Sequence, residues 1–391
     1  MNALQNIPYG RQSVSDEDIE AVVNVLKSDW LTQGPAVPAF EKSVANYCDA
    51  DYAVAVNSAT SALHIACIAL DVGPGDLVWT SPITFVATAN CARYCGADID
   101  FVDVEKDTAN LCAVKLEEKL IQAQRDCRLP KVVIPVHFAG LPCDMQAIHK
   151  LSKQYGFRII EDASHAIGAR YHDEPVGNCR YSDITVFSFH PVKIITSGEG
   201  GMALTNDGAL ASRMQLLRSH GVTREPSLME SPQESPWYYE QIELGFNYRM
   251  TDVHGALGNS QMIHLKDFIK RRNLVACAYD TSLIDLPVTL PAGRDGRNSA
   301  YHLYVVGLSS IGSVRSHQEV FMYMRQRGIG VNLHYIPVYR QPYYRKLGFN
   351  PSHFPSAEEH YRTSISLPMY ANLDGEQQAY VINSLSDAIQ T

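Results

Sequence analysis

Short apolar runs separated by amphipathic stretches dominate the chain from about Tyr52 to Asn206. Ala53-Val54-Ala55-Val56, Leu77-Val78-Trp79-Thr80, Ile99-Asp100-Phe101-Val102 and Lys131-Val132-Val133-Ile134-Pro135-Val136 read as buried strands. Arg158 to Glu161, Asp183 to Phe187 and Gly201 to Leu204 continue the series. Between them, Ser61 to Leu70, Phe85 to Tyr94 and Met145 to Tyr155 have the length and spacing of helices. Such alternation predicts a mostly parallel sheet with helices on both faces.

The flanks read differently. Ser15 precedes Asp16, Glu17 and Asp18, which suit a helix N-terminus, and Ile19, Val22, Val23 and Leu26 follow at helical spacing. Trp30 to Pro35 ends that helix. The polar segment Gly221 to Glu240 contains Pro226, Pro232 and Pro236 and shows no period, which predicts a long structureless loop acting as a lid or a dimer contact. A helical run after Gly245 leads into the C-terminal part. The expected division is a large domain over 1–260 and a small domain over 261–391.

Composition narrows the class. The chain has 391 residues, 46% hydrophobic and 19% charged, as in an ordinary globular protein. A formal net charge of -9 argues against nucleic acid as a partner. No apolar stretch reaches the roughly eighteen residues of a membrane span, and no charged start leads into an apolar run. A cytoplasmic protein without membrane contact is therefore expected. The nine cysteines are odd in number and scattered, so reduced thiols are expected. Cys91 and Cys95 lie four apart but have no second pair or nearby histidine to complete a zinc site, so they read as core residues and no metal is expected.

Three distant stretches place polar groups where parallel sheets gather ligands, beyond the carboxyl ends of strands. Asn57-Ser58-Ala59-Thr60-Ser61 links a strand to a helix, with small residues that let a phosphate approach free amides. An ordinary N-cap by Ser58 or Thr60 is the plainer alternative. Glu161-Asp162 ends an apolar strand, where a carboxylate needs a cation or hydrogen bonds. Phe187 to Lys193 is nearly uncharged ahead of its lysine, and a desolvated lysine becomes nucleophilic near neutral pH. A nucleophilic lysine, a strand-terminal aspartate and a phosphate cup together meet the needs of pyridoxal phosphate (PLP). Phe85, at a helix start, is either core or a plate stacked on a flat ring. His165 either contacts the cofactor's phenolic oxygen or is structural.

In order and spacing, Trp30 to Pro35, Asn57 to Thr60, Glu161-Asp162-Ala163, Ser188 to Lys193 and Gly245-Phe246-Asn247-Tyr248-Arg249-Met250 resemble the sugar aminotransferases of the DegT/DnrJ/EryC1/StrS family over nearly the whole chain. That resemblance implies an α/β fold, the PLP-dependent transferase fold type I (aspartate aminotransferase-like). Its mostly parallel large domain carries a smaller C-terminal α/β domain, in a homodimer that shares its active sites. It implies that Lys193 holds PLP covalently, that Asp162 pairs with the pyridine nitrogen and that Phe85 stacks on the ring. Ala59, Thr60 and Ser188 would bind the phosphate, with Asn247 reaching it from the partner subunit. His165 stands where many members carry glutamine.

Pro8 to Gln12, Leu31 to Pro35, Phe189 to Ile195 and the stretch His334-Tyr335-Ile336-Pro337 through Tyr344 look like members that use L-glutamate to aminate C4 of a UDP-linked 4-keto-6-deoxy-N-acetylhexosamine. Related dehydratases carry histidine in place of the lysine, and Lys193 sets this chain apart from them. A sibling aminotransferase with another nucleotide keto-sugar and a catalytically silent PLP-binding regulator are the other readings. For the glutamate carboxylate the candidates are Arg218, Arg249 and His334, with structural ion pairing as the alternative for each arginine.

Overall fold

The computed structural model describes residues 6–231, 235–309 and 313–390. Pro232 therefore lies outside the described residues.

Seven strands form the central sheet. In chain order they are β1 (Tyr52–Val56), β2 (Leu77–Thr80), β3 (Asp98–Phe101), β4 (Val132–Ile134), β5 (Arg158–Asp162), β6 (Ile184–Ser188) and β7 (Gly201–Thr205). Their spatial order is β1-β7-β6-β5-β4-β2-β3. β7 runs antiparallel to both its neighbours, and the pairings among β2, β3, β4, β5 and β6 are all parallel. The mostly parallel expectation holds. β4 is shorter than the apolar run around it because Pro135 has no N–H to continue the ladder, although its carbonyl still accepts from the Asp162 amide.

Alternation along the strands sorts side chains to two faces. Val54, Val78, Ile134, Ile160, Val186 and Ala203 pack with helices Ala59–Ala69, Ala87–Tyr94 and Gly208–Arg218. On the opposite face Trp79, Val133 and Ile159 meet helices Ala113–Arg125 and Met145–Tyr155. Ala55, Phe187 and Met202 meet Phe40 and Val44 of helix Ala36–Cys48. Burial on both faces explains why these strands read as continuous apolar runs.

The helix Asp252–Leu283 has 32 residues and carries the chain out of the large unit. The expected boundary at 260/261 falls within it. Its later half, with Val275, Ala276, Tyr279 and Leu283, joins a second core built on the antiparallel strands Val288–Thr289, Tyr304–Leu308 and Ser364–Leu367 and on the helix Gly375–Gln390.

Two flanking expectations change. The first helix, Asp16–Leu26, has the expected cap, as a reciprocal Ser15–Asp18 box, but its apolar stripe is not core. Ile19 and Leu26 are exposed, and the buried residue is Asp18, which accepts a 2.6 Å hydrogen bond from Gln261. The Gly221 to Glu240 segment is not wholly structureless: Val222–Thr223 pairs antiparallel with Glu240–Gln241, and Pro226–Leu228 forms a 3-10 turn.

Candidate active site

The carboxyl ends of β1, β5 and β6 open onto one cavity of about 480 Å³. Ala59, Thr60, Phe85, Asp162, His165, Ser188 and Lys193 all line it. The loop after β6 closes on itself, with Ser197 N–H and the Thr196 hydroxyl both donating to the Phe189 carbonyl, and Lys193 N–H donating to His190. Buried Phe189, Ile194 and Ile195 anchor that loop on either side of Lys193.

Asp162 is 4% exposed. Ser164 donates to its Oδ1 through the backbone N–H at 3.1 Å and the hydroxyl at 2.6 Å, and Thr88 donates to Oδ2 at 2.6 Å. These donors offset the desolvation of the carboxylate, yet none carries a charge. Its neighbour Glu161 points to the other face of β5, where it accepts from His137 at 2.7 Å and from Ser182 and Thr185. Burial pushes the Lys193 amine down to about 8, and the charge of Asp162 works in the opposite direction. Such an amine is partly neutral near physiological pH, as a nucleophile and proton carrier requires. Burial, with Lys193 and His334 adding to it, holds His165 well below the ordinary histidine range, so its ring is neutral.

The turn expected to receive a phosphate opens on the same cavity. Ser58 caps helix Ala59–Ala69 by accepting from Ser61 N–H, and the first amides of the helix have no acceptor within it. Ser188 lies across from them, 8% exposed. Gly201 permits this approach: a Cβ there would stand 2.4 Å from Ala59 N and from the Ser58 carbonyl carbon. Phe85 is 61% exposed and lines the cavity, so its ring is not core. A buried carboxylate without a cation, an amine shifted by burial, free helix amides and an exposed flat ring fit PLP as a donor set. The unpartnered Nδ1 of His165 adds a buried polar group awaiting a contact.

Other expected residues lie elsewhere. Asn247 is exposed and does not line the cavity of its own chain; its backbone bridges Ser219. Arg218 is held by Glu41 and the Ala55 carbonyl, and Arg249 donates to Ser219. Among the described residues no arginine lines the cavity, and of the three candidates for the donor carboxylate only His334 does. Burial pushes His334 down to about 3, so it offers hydrogen bonds and no charge. No described residue of Gly221 to Glu240 lines the cavity.

Sequence reasoning missed Thr88, His302 and Tyr335. Thr88 had a faint signal: Thr84 and Thr88 are four apart in an alanine-rich stretch, and their hydroxyls meet at 2.7 Å. Tyr335 stood within a stretch that carried the resemblance but was given no place at the site, and no local pattern marks His302.

Residues 12–386 match the DegT/DnrJ/EryC1/StrS aminotransferase family. Among curated relatives, the spore coat polysaccharide biosynthesis protein SpsC of Bacillus subtilis is 36% identical over 387 residues, covering 98% of this chain and 97% of its own. The UDP-4-amino-4,6-dideoxy-N-acetyl-beta-L-altrosamine transaminase of Campylobacter jejuni is 34% identical over 386 residues, covering 98% of each chain. Among solved structures, Helicobacter pylori PseC, an aminotransferase involved in the biosynthesis of pseudoaminic acid, superposes with a TM-score of 0.90 at 31% identity, over 99% of this chain and 100% of its own.

Proposed function

The chain belongs to the DegT/DnrJ/EryC1/StrS aminotransferase family, and on that premise we propose that it moves the amino group of L-glutamate to C4 of UDP-2-acetamido-2,6-dideoxy-β-L-arabino-hexos-4-ulose. It is a PLP-dependent sugar aminotransferase. The finer reading places it in pseudaminic acid biosynthesis, whose product decorates flagella or surface polysaccharide. The full-length likeness to the Campylobacter transaminase and to PseC supports that substrate.

Bound PLP supplies an aldehyde for amino groups and a ring that takes up electrons when a proton departs. Lys193 would be its covalent anchor, and the lysine amine, when free, would carry the proton from the glutamate α-carbon. Asp162, held by Thr88 and Ser164, keeps a positive charge on the pyridine nitrogen. The amides of Ala59 and Thr60 and the Ser188 hydroxyl hold the phosphate, and Phe85 covers the ring. Glutamate leaves as 2-oxoglutarate before the keto-sugar enters, and the same groups serve both halves.

The working unit is a homodimer in the cytoplasm, with Asn247 of the partner subunit completing the phosphate site. Exposed Ile19, Leu26, Trp30, Leu31 and Ile263 on and beside the first helix and the helix Asp252–Leu283 support an apolar surface for the second copy. No helix among the described residues is long and apolar enough to cross a membrane.

A visible absorption spectrum tests the reading. The PLP-loaded protein is yellow, bleaches with L-glutamate and regains colour with the keto-sugar. Bleaching without recovery rejects that sugar and favours a sibling substrate, a reading that the SpsC relative supports. A protein that stays colourless with added PLP overturns the role given to Lys193.

A further inference from the structure

The Tyr335 hydroxyl meets His165 in the cavity, at 3.1 Å from Nε2. The ring planes are near parallel, at 22° with centroids 6.2 Å apart. His302 closes the other side of His165, centroids 4.4 Å apart, and Phe138 packs on both His165 and Tyr335. The His165 ring is thus fixed in place, 5% exposed.

Counting protons on this pair gives an odd result. A neutral imidazole carries one N–H and a tyrosine one O–H. Burial keeps both groups neutral, lowering His165 and raising Tyr335. The contact between them uses one proton. The other has no acceptor among the described residues, whichever tautomer holds: it sits either on His165 Nδ1, which is buried without a partner, or on the tyrosine oxygen, whose sole hydrogen-bond partner there is His165. A buried donor left without an acceptor is costly, so the pair is built for an acceptor that arrives with a ligand.

We propose that Tyr335 is a positioning residue that acts through His165: its hydroxyl donates to Nε2 and so sets the ring's own proton on Nδ1, which donates to the anionic phenolic oxygen of PLP. The inference rests on the PLP-aminotransferase reading and deepens it. The groups facing the pair are Lys193, Asp162, His302, His334 and Tyr9, with the buried guanidinium of Arg272 behind His302. None of them is hydrogen-bonded to either member, so none takes up the spare proton among the described residues.

A donor on the phenolic oxygen stabilises it as an anion and weakens its grip on the neighbouring proton. Losing that donor raises the pH midpoint of the bound cofactor's visible absorption. The experiment titrates that absorption in PLP-loaded protein for wild type, Tyr335→Phe, His165→Leu, His165→Gln and the double variant Tyr335→Phe/His165→Leu. Circular dichroism and thermal melts confirm that each is folded. A wild type that takes up no PLP would sink the functional reading itself, before this one is reached. With PLP bound, His165→Leu raises the midpoint by roughly one pH unit, a tenfold change in the proton equilibrium. Tyr335→Phe raises it by less, and His165→Gln, which keeps a donor, stays near wild type. In the double variant Tyr335→Phe adds nothing to His165→Leu, because its action passes through the imidazole. An unmoved midpoint in Tyr335→Phe, or full additivity in the double variant, overturns the proposal.

Discussion

Thr88 and Asp162, 74 residues apart, are joined by a 2.6 Å hydrogen bond from the threonine hydroxyl to Oδ2 of the carboxylate. Ser164 saturates the other oxygen, so Thr88 alone fixes the rotation of the carboxylate on its second side. Bonds of this charge-assisted kind contribute about 1.5–3 kcal/mol. Thr88→Val keeps the shape and removes the donor. Urea denaturation of the cofactor-free protein will show a loss in that range, and Thr88→Ser will recover most of it. PLP will restore part of the stability of the valine variant, because the ring nitrogen supplies the missing partner. Equal stability of the valine variant and wild type would show that water replaces the hydroxyl.

Gly201 pairs with Val56 across β7 and β1 and faces the Ser58–Ala59 turn. A methyl group at that position meets backbone atoms at 2.4–2.5 Å, with no flexible side chain to move aside. Gly201→Ala therefore pushes the helix N-terminus away from Ser188. Overpacking of this kind costs about 1–3 kcal/mol. The same displacement spreads the phosphate cup, so PLP affinity falls together with thermal stability. Inorganic phosphate competing for PLP reads the cup directly: it protects wild type and not the alanine variant. Retained phosphate competition in Gly201→Ala would mean that the turn relaxes without losing its amides.

Much of this was legible from the chain because the strands are buried on both faces. Apolar runs such as Val132 to Ile134 need no partner to be recognised, and a parallel sheet delivers their carboxyl ends to one edge. Asp162, Ser188 and Lys193 could be placed together for that reason. Phe85 was ambiguous because core and stacking uses demand the same side chain, and only its exposure separates them. The first helix misled in a different way. An apolar stripe reports a face to be covered but not by what, and here Ile19 and Leu26 remain open in the single chain. Thr88, His302 and Tyr335 escaped because tertiary contacts assign their roles. For Arg218 the structural ion pair is the reading that the structure supports, because Glu41 claims its guanidinium.

Glu161 makes a second, independent prediction on the same strand. Burial raises its carboxylate, and the hydrogen bonds given by His137, Ser182 and Thr185 outweigh that and hold it below the usual range. His137 Nδ1 accepts from Cys143 N–H, so Nε2 carries the proton given to Glu161. Glu161→Ala leaves that imidazole and two hydroxyls without their acceptor, at a cost of about 1–3 kcal/mol for each buried group left unsatisfied. Because the folded group titrates below its unfolded value of 4.5, its contribution is complete above that pH and disappears as pH falls through the lower folded value. Acid unfolding of wild type and Glu161→Gln will therefore converge at low pH, separate as pH rises to about 4.5 and keep a constant difference above it. Parallel acid profiles would contradict the pairing.

Lys193 has the opposite consequence at high pH. Its folded value of about 8 lies below the unfolded 10.5, because burial penalises the charged amine. Between those values the unfolded chain binds a proton that the folded chain does not, so stability rises with pH across the window. Below pH 8 both states are charged and the full penalty of burying the ammonium is present, on the order of 3 kcal/mol. Lys193→Met removes the penalty while filling similar space. In cofactor-free protein the variant will be the more stable of the two at pH 7, and its advantage will shrink steadily towards pH 10.5. The difference between the two denaturation series follows this group, because His165, His302 and His334, which feel its charge, are held well below the window and stay neutral across it. An advantage that does not change with pH would place the amine in solvent, and it would then lack the shifted proton affinity on which its transfer of the glutamate α-proton depends.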